Sequence, residues 1–74
     1  MIKLHKKIFH VYIENTDCII SIMADHYKLI TFDDFSNYNF YDTENNTIAV
    51  IDNLYVARID EERRAIWLKT KTRE

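Results

Sequence analysis

The stretch that decides the fold is Ile8-Phe9-His10-Val11-Tyr12-Ile13-Glu14-Asn15-Thr16-Asp17-Cys18-Ile19-Ile20-Ser21-Ile22-Met23-Ala24. Over 8–13 the residues alternate. Phe9, Val11 and Ile13 are greasier than Ile8, His10 and Tyr12, which is the period of two of a strand with one buried face. Asn15-Thr16-Asp17 carries turn chemistry. Residues 18–24 form an apolar run broken only by Ser21, which reads as a strand covered on both faces. Cys18 at its head reads as a reduced, buried small hydrophobe.

Working outward, the same pattern recurs. Asp25-His26 turns into 27–32. Asp33-Asp34-Phe35-Ser36-Asn37-Tyr38-Asn39 is polar with aromatic anchors and reads as a loop, with room for one helical turn capped by Asp33. Residues 40–43 and 47–51 flank Glu44-Asn45-Asn46. Asn tolerates the left-handed region better than other non-Gly residues, so this is a hairpin. Asp52-Asn53 turns into 54–59, and Asp60-Glu61-Glu62-Arg63 reads as the last turn before 64–70. The tail, 71–74, is expected to fray. The sum is a single all-β, mainly antiparallel domain of five to seven short strands, closed as a small barrel or folded as a meander sandwich. The rival reading is α+β, with a helix within 30–42 or 56–70.

If 60–63 turns, Val56 faces Trp67 across a hairpin, on the side away from Ile66 and Leu68. Both faces of that hairpin are then partly apolar. Trp67 either fills the core or, with Val56, anchors an interface between copies, since Trp favours binding hot spots.

Composition narrows the class. The chain has 74 residues with one Cys and neither Gly nor Pro, where about nine of the latter two are usual. One Cys cannot staple the domain, and no His/Cys cluster suggests a structural metal. Dense packing or self-association must then supply the stability, so a homo-oligomer is expected. Two readings of the missing Gly and Pro compete: positive-φ positions fall to Asn or Asp, or codon bias in an AT-rich genome depletes both residues, a profile of short chains in bacteriophages and other mobile elements. The apolar stretch after Lys3, Lys6 and Lys7 is too short for a secretion signal and no cleavage site follows, so the expected location is the cytoplasm, that of the host cell for a phage protein.

Charge is segregated. Residues 1–13 carry three lysines and no acid, 14–62 carry eleven acids against Lys28 and Arg58, and 63–74 carry five bases against Glu74. Paired first and last strands would therefore make one basic end on an acidic body. Two binding readings follow. In the first, a protein-binding inhibitor or regulator presents its exposed acids and aromatics: Asp33, Asp34, Asp60, Glu61 and Glu62, with Val56 and Trp67. Such charges steer association with a basic partner. In the second, Lys6, Lys7, Arg63, Arg64, Lys69 and Lys71, with Tyr12 for stacking, bind single-stranded nucleic acid. A third reading is a structural or assembly subunit.

Catalytic patterns are weak. His5 and His10 are five apart and fall on opposite faces of a strand. His26 beside Asp25 is turn chemistry, no signature surrounds Cys18, and no glycine is present to form a phosphate loop. The expectation is a non-enzymatic module without metal or cofactor.

Overall fold

In the computed structural model, the backbone is described for residues 2–68 and the side chains for 7–63. Six strands run in order: β1 (Ile2–Ile13), β2 (Ile19–Met23), β3 (His26–Thr31), β4 (Ser36–Tyr41), β5 (Thr47–Asp52) and β6 (Val56–Leu68). A 3-10 turn, Asn53–Tyr55, joins the last two. All pairing is antiparallel. The strands form two three-stranded sheets, β2-β1-β6 and β3-β4-β5, so the all-β expectation holds as a sandwich. The α+β alternative does not: helix among the described residues is confined to that 3-10 turn.

The alternation in β1 sets the core. Phe9 and Val11 point inward and are fully buried, as is Phe40 from the other sheet. Ile22 and Ala24 complete the cluster. The Phe9 ring meets Tyr27 edge-on at 5.1 Å and Phe40 at 5.8 Å, so three strands from two sheets share one aromatic contact. Ile13, Tyr38, Ala49, Ile51, Val56 and Ile59 pack around it. Residues buried among the described set are all apolar.

Asparagine takes the place of glycine in the turns. Asn15 (φ 59°) and Asn45 (φ 65°) are the positive-φ residues among those described. Each sits in a tight hydrogen-bonded loop. In the first, the Ile13 amide donates to the Cys18 carbonyl at 3.1 Å and the Cys18 amide donates to Thr16 Oγ1 at 3.0 Å. In the second, the Asp42 carboxylate accepts from the Asn46 and Glu44 amides, both at 2.9 Å, and from Asn46 Nδ2. These donors, the Asn46 amide first, hold the Asp42 carboxyl below its ordinary 3.8.

Three expectations need correction. First, Asp60-Glu61-Glu62-Arg63 is not a turn. Val56–Leu68 is one continuous strand along β1, from Ile13↔Val56 to Ile2↔Leu68. The segment lacks an Asn to take positive φ, and its charges are satisfied as a strand: Arg58 Nε to Asp60 at 3.2 Å, and Arg63 Nε to Glu61 at 3.1 Å. Second, residues 33–39 hold no helical turn. They pass from a bend into β4, and the 3-10 turn falls at 53–55, where Asp52 caps the Leu54 amide at 2.9 Å. Third, β2 is covered on one side only. Ile22 is buried, whereas Ile19, Ile20 and Met23 are about half exposed, and Cys18 is exposed. Only Ile22 within β2, and Ala24 just beyond it, reach the core, so most of the apolar run stays at the surface. The tail 71–74 lies outside the described residues.

Candidate functional site

β2 stops at Met23, opposite Ile8, while β1 and β6 continue together without a third strand. The register is Lys7↔Arg63, Lys6↔Arg64, His5↔Ala65, Leu4↔Ile66, Lys3↔Trp67 and Ile2↔Leu68. Six pairs at about 3.4 Å each make a two-stranded arm about 20 Å long. The described parts of the two basic segments, 2–13 and 63–68, therefore meet on one element. Two successive levels carry like charges directly opposite one another. Like charges directly opposite one another are destabilising in an antiparallel pair, and strand alternation puts the two levels on opposite faces.

At the foot of the arm, Lys7 is half-buried and Arg63 is exposed. The Arg63–Glu61 pair is solvent-exposed on both partners and holds Arg63 only weakly. A recess of about 370 Å³ opens beside them, lined by Lys7, Arg63, Met23, Ile48, Asp25 and Asp42. Both carboxylates there are already engaged, Asp42 by its own loop and Asp25 by His26 Nδ1 at 2.9 Å. The recess thus brings two cations and two carboxylates to one opening, each with a partner or a loop of its own except Lys7.

The second candidate lies at the loop joining β3 to β4. Phe32 and Phe35 stack at 4.7 Å, and the Phe32 amide donates to the Phe35 carbonyl at 2.7 Å. This closes a tight loop that presents Asp33 and Asp34 outward, both exposed. With Leu54 they line a shallow recess of about 300 Å³. Acidic and aromatic side chains meet here, the aromatic ones being Phe32 and Phe35 rather than Trp67.

The other candidates are redistributed. Asp60, Glu61 and Glu62 lie mid-strand rather than on an exposed turn. Strand alternation places Glu61 on the opposite face from Asp60 and Glu62, so the run is not one patch. Val56 packs against the core and sits at the far end of β6 from Trp67, so the two are not cross-strand neighbours. The Trp67 side chain is outside the described set, as are those of Lys6 and Arg64. Lys69 and Lys71 lie beyond the described residues. Tyr12 is well away from the arm and is occupied within the chain, with the Arg58 guanidinium 3.9 Å from its ring centroid.

One constellation was invisible in the sequence. His10 Nδ1 lies 2.8 Å from Ser21 Oγ and His10 Nε2 lies 2.7 Å from Glu62 Oε1. Pairing of β2 and β6 on either side of β1 makes this row, and only the register reveals it. A Ser–His–carboxylate row is not by itself a nucleophilic site. Acyl transfer also needs donors aimed at an oxyanion and a recess for substrate. Neither recess described above includes these residues, and the row lies across an open sheet face. It reads as cross-strand hydrogen bonding. Among the described residues no group of three His, Cys, Asp or Glu is placed to hold a metal, and no helix is long and apolar enough to cross a membrane.

Comparison with known proteins finds no matching family model, no matching curated protein and no matching solved structure.

Proposed function

We propose that this chain is a non-enzymatic binding module whose basic arm holds the phosphate backbone of a single-stranded nucleic acid. The observation that carries the reading is the β1–β6 register, which sets Lys6 and Lys7 opposite Arg64 and Arg63 on an element that leaves the body of the sandwich. A phosphate chain wound round the arm, meeting the Lys7/Arg63 pair on one face and the Lys6/Arg64 pair on the other, neutralises charges that otherwise repel. It also releases condensed counterions, the main source of sequence-independent affinity. The acidic body limits contact to the arm and disfavours non-specific wrapping of the whole domain.

The test is fluorescence anisotropy with a labelled mixed-sequence oligonucleotide. The four-fold variant Lys6→Glu, Lys7→Glu, Arg63→Glu, Arg64→Glu is expected to lose binding, while Lys28→Glu, in the other sheet, retains it. No binding by the parent chain, or equal binding by the four-fold variant, refutes the reading.

A second reading is favoured by the stacked Phe32/Phe35 pair under Asp33 and Asp34: an inhibitor or regulator that docks a basic protein surface on this loop, consistent with a mobile-element origin. In that case a nuclease-resistant partner captured from lysate is released by Asp33→Lys with Asp34→Lys and not by the arm variant. Capture that ignores the loop substitutions excludes it.

A further inference from the structure

Four strand edges border the two sheets, and three of them are guarded. β5 carries a bulge, because Phe40 pairs with Ala49 and Tyr41 with Thr47, leaving Ile48 unpaired. β6 carries another, with Ala57 skipped between Tyr12↔Arg58 and Ile13↔Val56, and it bears charges along its length. β3 has Lys28 near its middle. Bulges and edge lysines are the usual protections against a sheet pairing with another chain. β2, Ile-Ile-Ser-Ile-Met, has a regular register to β1, no charge and no bulge. Its Ile19, Ile20 and Met23 are 51%, 44% and 52% exposed.

The geometry points to β2 as the interface between two copies of this chain, paired antiparallel about a two-fold axis at Ser21. The strand is self-complementary in that arrangement. Ile19 faces Met23 of the second copy, Ile20 faces Ile22, and no like charges meet along the edge. A closed two-fold pair uses the same patch on both sides and leaves no second β2 edge to propagate. The two three-stranded sheets become one of six, with β2 central. The inference is independent of what the arm binds.

The experiment is sedimentation equilibrium from micromolar to millimolar concentration, on the parent chain and on Ile19→Lys with Met23→Lys. Both substitutions fall at half-exposed positions, and circular dichroism checks that the variant keeps its β signal. The parent is expected at twice 9.0 kDa and the variant at the single-copy mass. In a Cys18→Ser background, Ser21→Cys is expected to cross-link two copies on oxidation. Directly opposite residues have Cβ atoms about 4.5–5.5 Å apart, near disulfide reach. A parent monomeric throughout, or a dimer indifferent to the two lysines, overturns the proposal. Should the lysine variant fail to fold, absence of the Ser21→Cys cross-link overturns it.

Discussion

Replacing Phe40 with alanine is expected to remove a large share of this protein's stability, more than any exposed aromatic substitution does. The ring is fully buried and contacts Phe9 and Tyr27, at 5.8 and 5.4 Å between centroids. Removing a buried Phe costs about 3–5 kcal/mol. At about 0.05–0.15 kcal/mol per residue, a chain of 74 has about 4–11 kcal/mol in total. No disulfide or metal ligand set among the described residues makes up the loss. Phe35→Ala is the contrasting case. Phe35 is half exposed and stacks only on Phe32, so its loss costs about 0.5–1.5 kcal/mol. Urea titration followed by circular dichroism distinguishes the two. A Phe40→Ala midpoint close to that of Phe35→Ala would mean that the sheets are not held by the aromatic cluster.

That cluster was half legible in the sequence. Phe9-x-Val11-x-Ile13 announces an inward face because strand alternation is local. The same alternation cannot say which residue of another sheet meets that face, and so Phe40 stood out no more than Phe32 or Phe35. The turns were readable where asparagine supplies a positive φ, at Asn15 and Asn45. They were misread at 60–63, where four charged residues imitate a loop. What decides between turn and strand there is the partner. β1 offers an unbroken row of backbone groups, and Arg58, His10 and Arg63 satisfy the three acids. The misreading then propagated. A hairpin would have set Val56 against Trp67 and made the acids a surface patch. A through-strand instead separates these residues and carries the basic C-terminal segment alongside the basic N-terminal one. The sequence could thus show two basic ends, but only the register makes them one arm. The His10–Ser21–Glu62 row was hidden for the same reason, since its members are 11 and 52 residues apart.

Nucleic-acid affinity is expected to fall about 50-fold between 50 and 200 mM monovalent salt. A single strand wound round the arm, meeting Lys7 and Arg63 on one face and Lys6 and Arg64 on the other, makes four phosphate contacts and predicts a slope of about −2.8 in log K against log salt. Over a fourfold rise in salt, that slope gives the stated loss. The neighbouring acids do not cancel it. Glu61 engages Arg63 through a pair exposed on both sides, and a phosphate competes well with such a contact. Reversing Lys7 and Arg63 alone removes one cross-strand pair of cations and should bring the slope to about −1.4, with weaker binding at every salt concentration. The slope therefore counts the residues in use, which a single affinity cannot do. A slope near zero would mean that any ligand is held by apolar contact, which would move the binding surface from the arm to the Phe32/Phe35 loop. A slope well steeper than −2.8 would mean that bases beyond residue 68 join the contact, bringing Lys69 and Lys71 into the site.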